Sequence, residues 1–199
     1  MKTLITFILA LLISLSSVAQ SHTDEITKNA QTYYDYMTAQ NFDGVLDYMY
    51  PKVFEMAPRA QMKAGMEQMF SSPEMKIEFL SNDVTKVSEE KIVEEITYAA
   101  VFYNSKMKMT FLSEKDKSAE DQKVFLEFMK ETMDTQFGEE NVTSDAETMS
   151  LVINMDATMF AIKDPQYTGW KFIGNDDAMK QLVNSIIPES IRTDLLKQK

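Results

Sequence analysis

The sequence predicts an α+β fold: three N-terminal helices packed on a strongly curved antiparallel sheet of about four long strands, with an inserted helix and a C-terminal helix. Three observations carry this. Apolar residues recur at helical spacing from Thr23 to Phe70, the period changes to two from Met75 onward, and helical spacing returns at Ser118–Phe137 and again after Asp176. The 199 residues suit one domain, and an apolar content of 44% is enough to build a core.

Thr23 reads as an N-cap with Asp24 and Glu25 in the first turn, and Ile26, Ala30, Tyr33 and Met37 follow as one stripe with Tyr34 alongside. Asn41 caps a second, short helix carrying Phe42, Val45, Leu46 and Met49, which Pro51 ends or kinks. Pro58 opens a third, with Met62, Met66, Met69 and Phe70 on one side. Ser118 with Asp121 resembles a capping box ahead of Val124, Phe125, Phe128, Met129, Met133 and Phe137, and Gly138 stops that inserted helix, about 118–138. Glu139 to Glu147 reads as a polar, acidic loop. A C-terminal helix spans about 176–198, with Met179, Leu182, Val183, Ile186 and Ile187 inward and an interruption at Pro188.

Among the strands, Met75, Ile77 and Phe79 alternate with Lys76 and Glu78, and after a break near Ser81–Asp83 the strand can run on through Val84 and Val87. Ser88 to Lys91 is a polar turn feeding the longest strand-forming stretch, Ile92–Leu112, in an antiparallel hairpin. The half from Ile96 to Tyr103 is apolar on both sides, so both sides should be covered. From Met107 to Phe111 one side is apolar and the other carries Lys106 and Lys108. Straight, the stretch would reach about 70 Å at roughly 3.3 Å per residue, so it must bend, bulge or turn. Ala99-Ala100 offers a bend and Asn104-Ser105 a two-residue turn; one bent strand is favoured. Met149, Leu151, Ile153, Met155, Ala157, Met159 and Ala161 form the cleanest alternation in the chain. Asp164-Pro165 then turns into a short strand, Gly169–Gly174, with the single tryptophan.

Residues 1–19 read as a secretory signal peptide: Lys2, an apolar run from Leu4 to Leu15, and small residues Ser17 and Ala19 before a cleavage point. The run is short for a membrane span, which takes about 20 residues, and no lipobox cysteine follows it. A secreted or periplasmic domain of residues 20–199 is the expectation, with no stable membrane anchor after cleavage. A net charge of −11 argues against nucleic acid and anionic membranes as partners. With no cysteine, thiolate metal sites, disulfides and cysteine nucleophiles are out. The one histidine, His22, is expected in a loose terminus, which leaves no Ser–His–Asp triad and no transition-metal cluster. Asn141–Asp145 and Asn175–Asp177 lack EF-hand spacing, and the five glycines make no phosphate loop. No metal and no cofactor are expected. Asn141-Val142-Thr143 is a glycosylation sequon.

The order of three helices followed by a strand meander, the aromatic stripe Tyr33, Tyr34 and Met37, and the closing strand around Trp170 together resemble the nuclear transport factor 2-like superfamily, which includes ketosteroid-isomerase-like enzymes. The inserted helix and the C-terminal helix depart from its compact pattern. The resemblance implies a cone-shaped sheet wrapped around the helices, with a cavity between them and an outer sheet face that can pair with a second copy. Tyr33, Tyr34, Met37, Met66 and Phe70 from the helices, and Met107, Met109, Phe111, Met155 and Trp170 from the sheet, would line that cavity. It would take an apolar or amphipathic small molecule, with the 16 methionines as soft lining.

Three readings follow: a non-catalytic binding domain, a module dimerising through the outer sheet face with no ligand, and an acid/base isomerase, lyase or hydratase. The last needs a carboxylate base in an apolar pocket beside a phenol donor. Glu94, Glu95 and Asp156 are the candidate bases, and Tyr33, Tyr34, Tyr98 and Tyr103 the candidate donors. No residue pattern matches the superfamily's catalytic set, so no catalytic residue is assigned.

Overall fold

Long strands that are apolar on both sides need cover on both sides, and the chain supplies it unevenly. The computed structural model describes residues 22–199; the expected signal peptide lies outside them. Helix α1 occupies 22–38, followed by α2 (Phe42–Tyr48), a 3-10 turn (Pro51–Glu55) and α3 (Arg59–Phe70). The strands are β1 (Met75–Val87), β2 (Lys91–Val93), β3 (Ile96–Phe111), β4 (Val142–Asp145), β5 (Ser150–Lys163) and β6 (Lys171–Gly174). Helix α4 (Ala119–Phe137) lies between β3 and β4, and α5 (Lys180–Ile186) and α6 (Glu189–Leu196) end the chain. All the strand pairs are antiparallel, in an open sheet of order β1-β3-β5-β4, with β2 beside β3 and β6 beside β5.

β3 is one continuous strand, so Asn104-Ser105 is not a turn: both residues pair with Asp156 and Met155 of β5. The long stretch does break, but earlier. Lys91–Val93 folds back on Ile96–Tyr98 through Glu94-Glu95, with Glu94 at φ +56°. No glycine or asparagine marks that turn, which is why the sequence hides it. β4 is a second addition, inside the tract read as an acidic loop. Asp145 sets its turn by accepting from the backbone N–H groups of Glu147 and Thr148 and from the Thr148 hydroxyl at 2.7 Å. The four expected strands therefore become six, and Pro188 divides the C-terminal helix into α5 and α6. α5 begins at Lys180 rather than near 176, because Asp176 caps a turn at the Met179 N–H instead (3.0 Å).

The odd-numbered residues of β3 and β5 share one face, here the inner face, and the even-numbered residues share the outer face. At the β6 end both faces are covered. α1 lays Ile26, Ala30 and Tyr34 on inner-face Ala99, Val101, Met159, Ala161 and Phe172. On the outer face Tyr98, Ala100, Phe102, Phe160, Ile162 and Ile173 pack under Val183, Ile187 and Leu195 of α5 and α6, with Tyr50 and Val53. At the other end only the inner face is covered. There Phe125, Leu126, Met129, Met133 and Phe137 of α4 meet Met109, Phe111, Leu151 and Ile153. The Ser118 hydroxyl caps α4 at the Asp121 N–H (3.2 Å), and Gly138, at φ +93°, stops it.

Three local readings change. α1 is already helical at residue 22, so Thr23 lies inside it and does not cap it. His22 is not loose: its Nδ1 stands 3.2 Å from the Glu90 carboxylate, tying the start of α1 to the β1–β2 connection. α3 has no buried residue. Ion pairs from Arg59 to Asp47 and from Lys63 to Asp43 hold it to α2, leaving its methionine stripe half-exposed.

One buried polar pair anchors the covered end. The Tyr50 hydroxyl donates to Asp164 Oδ2 at 2.8 Å, and Asp164 Oδ1 accepts from the Gln166 N–H at 2.9 Å. Tyr50 is fully buried and Asp164 nearly so. Tyr50→Phe leaves a buried carboxylate oxygen without its donor and is expected to cost about 1–3 kcal/mol. The check is a lower urea midpoint at unchanged m-value; an unchanged midpoint would mean water replaces the hydroxyl without loss.

Candidate functional site

The inner face is covered by α1 at one end and α4 at the other, and where the first cluster gives way to the second a cavity of about 320 Å³ opens. α1 contributes Tyr33, Tyr34 and Met37, one helical turn of the predicted stripe. β3 contributes Tyr103, Ser105 and Met107, alternate residues of one strand. β5 adds Met155 and Met159, and β1 adds Phe79 and Asn82. Met49, Phe172, Ile173, Gly174 and Asp176 complete the wall on the β6 side.

The sequence-level candidates divide. Tyr33, Tyr34, Met37, Met107 and Met155 meet at the cavity. Met109 and Phe111 lie on the same face but under α4. Trp170 precedes β6 rather than sitting within it, and packs under α1, where its Nε1 donates to Glu25 at 3.2 Å and Lys163 Nζ lies 5.5 Å from its ring centroid. Phe70 stacks between Phe42 and Phe79, outside the cavity, and Met66 stays on the half-exposed α3. Met159 belongs to the same alternation as Met155 and was open to inclusion by that signal, as was Phe79 in its own strand. Met49, Phe172 and Asp176 carry no such signal. They reach the wall because the chain leaving α2 runs parallel against β6 at Met49 and Phe172.

Asn82 points inward because Leu80 is left out of the pairing; a strand that kept Leu80 in register would turn Asn82 outward. Phe79 pairs with Met107, but Ser81 pairs with Lys106 and Asn82 with Ser105. A second extra residue, Thr85, restores the original phase at Val87. Inside, the Ser105 hydroxyl donates to Asn82 Oδ1 at 2.7 Å, while the Asn82 carbonyl accepts from Gln31 at 3.1 Å.

The tyrosines are held neutral. Burial pushes the Tyr34 phenol far above the usual tyrosine range, with the neighbouring Tyr103 adding to it, and its hydroxyl lies 3.3 Å from Met159 Sδ. Tyr33 is raised by burial and then by Tyr103 and Asp176, and Tyr103 mainly by burial. These phenols donate hydrogen bonds but do not act as bases. Of the carboxylates proposed as bases, Glu94 and Glu95 sit exposed at the β2–β3 turn, and Asp156 is exposed on the outer face, accepting from Asn104 at 3.1 Å. None lines the cavity, and Tyr98 lies on the outer face. Among the described residues the single charged side chain in the lining is Asp176, at the rim and exposed. The cavity can enclose an apolar body and hydrogen-bond it through phenols; it places no buried base beside them. Among the described residues no group of three or more histidines and acids is arranged to hold a metal ion, and no helix is long and apolar enough to cross a membrane. Comparison with family models, with curated proteins and with solved structures finds no match to this chain.

Proposed function

We propose that this chain is a secreted, non-catalytic binding domain whose cavity takes an apolar or amphipathic small molecule. The observation that carries it is the lining: methionines 37, 49, 107, 155 and 159 with uncharged tyrosines and two phenylalanines around about 320 Å³. That volume falls at the lower end of the roughly 300–1,000 Å³ typical of ligand sites. Methionine adapts to irregular apolar shapes, which suits a pocket more than a fixed core. In this reading the sheet curves around the helices in the nuclear transport factor 2-like manner. The helices-then-strands order and the two extra residues of β1, which bend a strand locally, support that shape.

The test is a neutral apolar fluorophore of the cavity's size, naphthalene. It should bind the wild-type chain, and at least about tenfold more weakly (about 1.4 kcal/mol) to Met155→Trp, whose indole fills the space. No binding to the wild type, or equal binding to both, rejects the proposal.

A second reading, an association module, has one specific observation behind it. The doubly apolar half of β3 is already covered within the chain by α5 and α6, but α4 exposes Val124 and Phe128, one turn apart, at 59% and 63%. A monomer by light scattering at high concentration rejects that reading.

A further inference from the structure

The lining is neutral except at one point, and that point is unpaired. Among the described residues Asp176 has no lysine or arginine partner within salt-bridge distance; neighbouring Lys180 lies 3.9 Å from Asp177. Its two oxygens have different surroundings. Oδ1 accepts the Met179 N–H at 3.0 Å and fixes the carboxylate in place. Oδ2 lies back over the end of β6, only 2.5 Å from where a Cβ would stand on Gly174. A residue with a side chain at 174 would push that oxygen away, so the bare backbone there lets the carboxylate close over the rim of the cavity. Its charge is felt inside: it contributes to raising the Tyr33 and Tyr103 phenols.

Across the sheet the polar ends are opposed. Asn82 and Ser105 stand on β1 and β3, and Gly174 leads to Asp176 at the end of β6, three strand spacings from β1, or roughly 14 Å at about 4.8 Å each. The Ser105 hydroxyl donates to Asn82 Oδ1, and the Asn82 amide donates to the Thr38 hydroxyl. The phenols of the lining can hydrogen-bond an occupant, and Asp176 Oδ2 is the charged acceptor at the rim; the tyrosine and phenylalanine rings of the same lining suit a cation better than an anion. An anionic occupant meets the Asp176 carboxylate and a chain of net charge −11.

We infer that the occupant is cationic: an apolar body of about ten non-hydrogen atoms, at about 30 Å³ each, ending in an ammonium group placed at Asp176. This rests on reading the cavity as a ligand site. The requirement is met by an alkyl amine or an aralkyl amine, and not by a fatty acid of the same length.

The test compares octylamine, 1-octanol and octanoate on the folded chain by calorimetry at pH 7, where the alkyl ammonium is charged. Octylamine should bind about five- to tenfold more tightly than octanol, and octanoate more weakly than either. The octylamine-to-octanol ratio should fall toward one in Asp176→Asn, whose side-chain oxygen can still accept from Met179. It should persist in Asp177→Asn, which removes the same net charge next door, and it should shrink as salt is added. Octanol or octanoate binding at least as well as octylamine overturns the charge preference while leaving the cavity a ligand site. A ratio untouched by Asp176→Asn, or lost equally in Asp177→Asn, overturns the role of Asp176. Failure of all three probes to bind overturns both this inference and the ligand-site reading beneath it.

Discussion

Titrated upward from neutrality, the protein should unfold steeply once the pH passes about 10–11. Tyr33, Tyr34, Tyr50, Tyr98 and Tyr103 all have phenols raised above their ordinary value, chiefly by burial. A raised value in the folded state means that the native chain holds protons the unfolded chain releases. Below the unfolded value of about 10 the tyrosines therefore cost nothing, and above it stability falls by about 1.4 kcal/mol per pH unit for each one. Tyr33, Tyr34 and Tyr50, which are raised furthest, together approach about 4 kcal/mol per unit, against a total of about 5–15 kcal/mol for an ordinary domain. The share of the tyrosinate absorbance that these buried phenols contribute should appear together with the loss of circular dichroism. A gradual tyrosinate titration centred near pH 10 with unchanged dichroism would show that the phenols ionise in place and that the raised values are wrong.

Ending the chain at Asn175 should be as damaging. That truncation removes α5 and α6 and with them Val183, Ile187 and Leu195, all essentially fully buried. At about 1.5–3 kcal/mol for each buried side chain, an upper range for a compact unfolded state, the loss is about 5–9 kcal/mol. It also bares Tyr98, Ala100, Phe102, Phe160, Ile162 and Ile173 as one contiguous apolar face. The expected product is insoluble or self-associated, and Val183→Asp in the full chain should reproduce the loss of stability without shortening it. A soluble, monomeric truncation with an unchanged melting temperature would mean that the outer face does not depend on this cover.

Much of this architecture was legible, because period and capping are local signals. The β5 alternation from Met149 to Ala161, the Asn41 cap of α2 and the Ser118 start of α4 all rest on spacing within a few residues. The doubly apolar half of β3 correctly demanded two covers, though not which elements supply them. What escaped notice has physical causes. Glu94 adopts a left-handed turn without the residue types that favour one, and β4 draws on only Val142 and Thr143 inside an acidic tract. The α3 stripe shows that amphipathic spacing gives a face and not its cover: Met69 remains 48% exposed. In the cavity, residues sharing one alternation were recoverable, whereas Asn82 was not, since the strand changes phase at Leu80. Asp176 caps a turn, as an aspartate after an asparagine readily does, and nothing local says that its second oxygen overhangs a glycine.

The two surplus residues of β1 have an effect outside the cavity. Dropping Leu80 would leave Ser81 beside Lys106 and Asn82 beside Ser105, so the inward residues would be the same in a regular strand. The irregularity changes the free side of the strand. Among the described residues β1 pairs only with β3, and its thirteen residues would otherwise offer another molecule a long straight ladder of backbone donors and acceptors. Two kinks in that ladder break its register, and the opposite border of the sheet is made of β4 and β6, four residues each. Neither β1, with its two breaks, nor the short β4 and β6 presents a long regular ladder, which limits strand addition from one copy to the next.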